Sequence, residues 1–178
     1  MNAPRLLVMA AVLLTALLLQ TVLLPTVAGW RPDVVTLTVI AFALADGSDT
    51  GARYGFVAGL SVDLLSGGAQ LVGLGALVAL LVGWGVGRLR PYVGARGAGD
   101  VAVAVAAGAM GFAVHGLTAL LLDLRQFTGA NVVQGATATA LWNLLLAPAI
   151  IPAVRLLSRR FGTVDGPSGA AGSSGRAW

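Results

Sequence analysis

The sequence predicts an all-α fold: an integral membrane bundle of about six transmembrane helices, with the N-terminus and the C-terminus on the cytoplasmic side. Three observations predict it. Of the 178 residues, 57% are apolar and only 10% charged, against roughly 25% charged in an average soluble domain, so there is too little charge to make a water-facing surface. Uncharged stretches recur at the length that crosses a hydrocarbon core of about 30 Å, which takes about 20 helical residues. Finally, the arginines gather on alternate connections between those stretches.

Four uncharged stretches are plain: residues 6–27, 69–87, 101–122 and 126–154. The first gives span one, 6–27. Its run of roughly 19 residues before Pro25 is longer than the 7–15 of a secretory signal core, which predicts an uncleaved helix although Thr26-Val27-Ala28 resembles a cleavage site. Residues 34–65 are apolar except for Asp46, Asp49, Arg53 and Asp63. The cluster Asp46-Gly47-Ser48-Asp49 is turn chemistry, which divides this stretch into two short spans, 31–45 and 51–66, joined by a tight hairpin. Spans four to six follow at 69–88, 101–122 and 132–156, with Pro148 and Pro152 expected to bend or terminate the last. Together, residues 1–161 form one polytopic domain. Residues 162–178, rich in Gly, Ser and Ala without periodicity, read as a disordered cytoplasmic tail.

Arginine positions test this topology. With the N-terminus cytoplasmic, Arg5, Arg53, Arg88, Arg90, Arg96, Arg155, Arg159, Arg160 and Arg176 fall inside, and only Arg31 and Arg125 outside. Nine against two is a strong positive-inside bias, and it requires an even number of crossings before Arg88. The formal charge of +4 would suggest nucleic acid in a soluble protein; here it counts arginines flanking apolar helices, so no nucleic-acid partner is implied and the lipid bilayer is the first partner. The outer connections, near 25–31, 67–70 and 123–130, are too short to fold into a domain. Recognition outside the membrane must therefore use helix ends or another chain.

The most informative spacing is Gly51, Gly55, Gly59, Asp63 and Gly67, at strict intervals of four. On a helix these form one slowly drifting stripe, whose glycines let another helix approach closely, whether from the same bundle or from a partner. Asp63 is a carboxylate inside an apolar span, costly unless paired or solvated. That makes it either a functional group or a residue reached by water near the outer helix end. His115, the sole histidine, shares a face with Gly108 and Gly111; with no second ligand nearby it reads as a buried hydrogen-bonding group. Asn143 and Gln20 read as interhelical hydrogen-bond donors, and Arg155, Arg159 and Arg160 as a basic edge facing anionic headgroups. No catalytic, cofactor-binding or metal site is found. Zero cysteines exclude thiolate chemistry in this chain. Gly83-Trp84-Gly85-Val86-Gly87-Arg88 has arginine where a dinucleotide loop needs its third glycine, and it follows a membrane helix rather than a strand. An enzyme is not expected.

Read in order, Arg31-Pro32-Asp33 before a short apolar span, Gly55-Phe56-Val57-Ala58-Gly59-Leu60 followed by Asp63, Gly73-Leu74-Gly75, and Leu81-Val82-Gly83-Trp84-Gly85-Val86-Gly87 resemble the family of the rod shape-determining protein MreD, with Asn143 and Ala147-Pro148 similar to its closing helix. The likeness covers residues from about 5 to 160. The resemblance implies a non-enzymatic scaffold in the bacterial inner (plasma) membrane, acting in cell elongation and peptidoglycan synthesis. It implies lateral binding of the bitopic protein MreC and, through it, influence on RodA with its penicillin-binding transpeptidase and on MreB. Carried over by position, it puts weight on Asp33, Gly55, Phe56, Gly59 and Asp63. The family's fold is similar to that of the substrate-binding subunits of energy-coupling-factor vitamin transporters, which supplies a rival reading. Against that reading, span one lacks the AxxxA those subunits use for docking. A channel through Asp63 and His115 ranks last, since no helix carries a repeating polar face.

A reporter active only outside the cytoplasm, fused after residue 95 or residue 178, should stay silent at both positions; a signal from either contradicts the arginine-derived topology.

Overall fold

The computed structural model of the chain describes residues 3–23, 32–66, 72–93, 97–122 and 128–161. Among these residues are six α-helices and no strand, so the all-helical expectation is met. They are α1 (Ala3–Leu18, continued by a π-helical turn Leu19–Leu23), α2 (Val34–Asp46), α3 (Ser48–Leu65), α4 (Leu74–Leu89, followed by a 3-10 turn Arg90–Tyr92), α5 (Ala98–Leu121) and α6 (Gly129–Phe161). The tail 162–178, most of the outer connections, and Arg31, Arg96, Arg125 and Arg176 lie outside the described residues. Four segments are long and apolar enough to cross a bilayer: Ala3–Val22, Leu74–Tyr92, Ala98–Leu121 and Gly129–Phe161.

Of the remaining two helices, α2 occupies the interior and α3 covers it, with Phe56, Val57, Leu64 and Leu65 turned outward. At 13 residues, α2 rises only about 20 Å. It is apolar around its whole circumference, a pattern that puts a helix inside a protein rather than on its surface. Ten of its residues are buried, and it touches each of the other five helices. Phe42 and Tyr54 of α3 meet with ring centroids 4.5 Å apart, and the Tyr54 hydroxyl lies 3.3 Å from that of Thr38. The turn between α2 and α3 is tighter than the four-residue cluster suggested. Gly47 alone separates the helices, at φ +97°, a left-handed conformation that only glycine adopts without strain. Asp46 and Ser48 already belong to the helices on either side.

Against α2, the antiparallel pair of α3 and α4 packs backbone to backbone. A methyl group added at Gly51, Gly55 or Gly59 would overlap the main chain of Gly83, Ala79 or Gly75 respectively, and one added at Gly87 would overlap Ser48. The glycine stripe is thus filled by α4 from within the chain. Side-chain interlocking takes over between α5 and its neighbours: Gly108 accommodates Asn143, Gly111 meets Val82, and Gly116 meets Val132. The last helix runs through both prolines to Phe161 rather than ending at them. Its i→i−4 ladder lacks only the two rungs that Pro148 and Pro152 cannot donate, and packing of Ala147, Ile151 and Val154 into the core holds it across the gap.

These contacts gather the start of α1, the α2–α3 turn and the ends of α4 and α6 at one end of the bundle. Arg5 pairs with Asp46 at 3.0 Å and donates to Thr50, Ser158 donates to Asp46, and Arg155 of α6 makes a two-pronged pair with Asp100 of α5. Arg88 lies over the Trp84 ring at 4.9 Å. Every arginine among the described residues is at this end. The opposite end is formed by the end of α1 and the starts of α2, α4 and α6.

Replacing Gly55 by leucine should destabilise the detergent-solubilised protein by about 3 kcal/mol or more, the upper range for overpacking, because the obstruction is backbone. Gly85, with open space beside it, should accept alanine neutrally or with a gain of up to ~1 kcal/mol; thermal unfolding compares the two.

Candidate functional site

The arginine-poor half of the bundle holds four of the polar groups that the sequence singled out, Gln20, Asp33, Asp63 and His115. A short, buried helix leaves its first N–H groups without intrahelical partners, and away from water each must be satisfied by a side chain. For α2 the partners are two. Asp33, the residue before the helix, accepts from the Thr36 N–H at 3.0 Å, and the Oε1 of Gln20, carried by the π-helical turn of α1, accepts from the Val35 N–H at 3.1 Å. Gln20 therefore serves as an acceptor, opposite to the donor role expected of it. The reason is that the nearest unsatisfied groups are helix N–H donors.

The start of α4 is served from α3. Asp63, only 4% exposed, directs Oδ2 at the Gly73 N–H at 2.8 Å and the Ala76 N–H at 3.2 Å. A carboxylate here meets both the orphan donors and the positive end of the helix dipole. The close α3–α4 approach makes this reach possible, and Gly75 leaves the space that the carboxylate occupies. The spacing of four that put Asp63 on the glycine stripe is thus what aims it at α4. Of the two readings open from sequence, functional group or solvated helix end, the geometry adds a third element: a cap across helices.

Asp33, Asp63, Gln20 and His115 line a common cavity of about 300 Å³, at the small end of the range for ligand sites. Asn143 is elsewhere, 1% exposed, donating to the Ala104 carbonyl of α5 at 2.9 Å in the donor role expected of it. Gly51, Gly55 and Gly59 face α4, as described. Phe56 does not join them: it is 45% exposed, about a quarter-turn or more round α3 from the stripe. Among the described residues, no buried side-chain nitrogen or oxygen lacks a hydrogen-bond partner, and no group of three or more His, Cys, Asp or Glu could hold a metal ion.

Sequence reasoning missed the pairs Arg5–Asp46 and Asp100–Arg155. Arg155 was expected to face headgroups, and Asp46 to act as a turn residue. Their partners are far away in sequence, so no local pattern joins them; the available signal was that few acidic residues stand beside the arginines at this end.

A helical bundle with four segments able to cross a bilayer, its described arginines at one end and its inner helix ends capped by side chains, defines a multi-pass membrane protein. The family of the rod shape-determining protein MreD matches over residues 3–161, nearly the whole chain, and the chain belongs to that family. It is therefore a rod-shape-determining membrane protein. No curated protein and no solved structure matches it.

Asp63→Ala should leave two N–H groups of α4 unpaired and cost about 2 kcal/mol or more. Asp63→Asn keeps an acceptor oxygen but loses the charge at the helix start, so it should cost roughly 1 kcal/mol. Thermal unfolding in detergent orders the three proteins; equal stability of the alanine variant and the unmodified chain would contradict the capping role.

Proposed function

We propose that the protein is a non-enzymatic scaffold of the bacterial cell-elongation complex, binding an MreC-type bitopic protein laterally in the plasma (inner) membrane. Through that complex it influences RodA with its penicillin-binding transpeptidase, and MreB on the cytoplasmic side. The single observation that carries the proposal is the family match over residues 3–161. The geometry supports it: Gln20, Asp33, Asp46, Asp63 and Asp100 are engaged with the chain's own helices, which leaves the outward helix faces as the main working surfaces. In the orientation proposed, all six helices cross, the short α2 doing so within the bundle, and the arginine-rich end is cytoplasmic.

The internal use of the glycine stripe moves the expected contact. Within Gly55-Phe56-Val57-Ala58-Gly59-Leu60 and Asp63, the glycines and the aspartate face α4, and Ala58 is buried. Phe56 and Val57 are exposed, as is Leu64 about two helical turns further on. This outward face of α3 is where the proposal places partner recognition, since apolar side chains pointing away from the fold are free to pack against another helix.

The cavity favours a second reading, the substrate-binding subunit of a vitamin transporter. Asp33, Asp63 and Gln20 are already bonded to helix N–H groups there, which leaves few polar contacts for a ligand and ranks this reading second.

Phe56→Ala should leave thermal stability within about 0.5 kcal/mol, as for surface substitutions, while reducing co-purification of an MreC-type partner by about tenfold, the loss typical of an interface anchor. Unchanged co-purification would remove this face of α3 as the interface.

A further inference from the structure

Between α5 and α6, on the arginine-rich half of the bundle, runs an open groove of about 780 Å³. Its walls are small and apolar. Ala98, Ala102 and Ala106 repeat every fourth residue along α5, and Leu144, Pro148 and Pro152 do the same along α6. The groove is lined on α6 from Leu144 to Arg155, about 16 Å of helix; the next residue, Asn143, bonds Ala104 and packs against Gly108 between the two helices. One leaflet of a hydrocarbon core is about 15 Å thick. A partner helix crossing the membrane would need a groove twice as long, whereas the acyl chains of one leaflet match this length.

The groove's mouth has the complementary chemistry for a phosphate. Arg155 lines it, and the two-pronged pair with Asp100 engages only two of the five N–H donors of a guanidinium. Asp100 is 3% exposed and neutralised by that pair. Arg159 follows Pro148, Pro152 and Arg155 on the same helical face, and Arg160 stands beside it, both exposed, so the mouth carries net positive charge. The start of α5 adds to it: Gly97, which lines the groove, precedes the helix with no side-chain cap, and the first turn of a helix carries the positive end of its dipole.

We infer that this groove is a binding site for an anionic phospholipid of the arginine-side leaflet, its phosphate held by Arg155, Arg159 and the start of α5, its acyl chains along the alanine and proline walls. The inference requires membrane insertion but not the partner reading proposed above.

The full chain, purified in detergent and exposed to equal amounts of phosphatidylglycerol and phosphatidylcholine, should retain phosphatidylglycerol by about tenfold in native mass spectrometry. Ala106→Phe fills the groove without touching the core or the ion pair and should abolish that retention. Ala149→Phe, on an exposed position outside the groove, should leave it unchanged, and Arg159→Gln should reduce the preference while some lipid still binds. Equal retention of the two lipids, or full retention by Ala106→Phe, overturns the assignment. So does loss of a single-span protein partner in Ala106→Phe with lipid retention intact, which would make the groove a helix-docking surface instead.

Discussion

The structure depends on the contact between α3 and α4, where two helices meet with almost no side chain between them. In lipid the hydrophobic effect gives helices little reason to associate, because hydrocarbon tails are as apolar as leucine; what remains is close packing and satisfied polar groups. Gly51, Gly55 and Gly59 against Gly83, Ala79 and Gly75 supply the first by bringing backbones into direct contact. The same approach supplies the second, for it carries Asp63 to the start of α4. Spread the pair by the thickness of one methyl group and the seam loses its dispersion contacts, while the carboxylate loses its hold on two N–H groups at once. Packing and capping are therefore coupled through one spacing.

The polar groups at the two ends of the bundle solve different problems. At the arginine-poor end the difficulty is the first N–H groups of α2 and α4, and Asp33, Gln20 and Asp63 meet it as acceptors. At the arginine-rich end the difficulty is fixing helices to one another where the chain carries abundant positive charge. Asp46 ties the start of α1 and the end of α6 to the α2–α3 turn, and Asp100 ties α5 to α6. The buried Asp100–Arg155 pair is not by itself a source of stability, since desolvating two charges offsets much of their attraction. Its geometric effect is clearer: it fixes the register of α5 against α6 at the mouth of the groove.

Much of this was legible in the sequence. Apolar stretches and their punctuation located the helices, and Gly47 marked the turn between α2 and α3. The interval of four from Gly51 to Asp63 announced a stripe, because both the helix period and the need for small residues at close contacts are local properties of a sequence. What covers the stripe was not legible, since either a partner or α4 presents small residues to it equally well. The donor or acceptor role of Gln20 was also beyond local reading: an amide offers both, and the choice is made by whichever unsatisfied group the fold brings near. Arg155 with Asp100, 55 residues apart, shows the same limit. Pro148 and Pro152 show another, because a helix already held by its buried residues on both sides of a proline continues through it.

The motif that carries the family likeness divides in the structure into an inner and an outer part, and the division bears on where shape determination is exerted. Gly55, Gly59 and Asp63 are consumed by the fold: each has its surroundings fixed by α4. Substituting them would destabilise the fold whether or not they touch anything else, so loss of function there says nothing about an interface. Phe56, between them in sequence and facing away, has no such duty within the chain. A bundle whose polar groups are engaged internally and whose connections are short can act on other proteins chiefly through such outward apolar faces, and these operate only by lateral contact in the bilayer plane. The separation of inward from outward residues within a single helix lets stability and binding be measured apart, and under the scaffold role proposed above it is the outward face that would carry specificity.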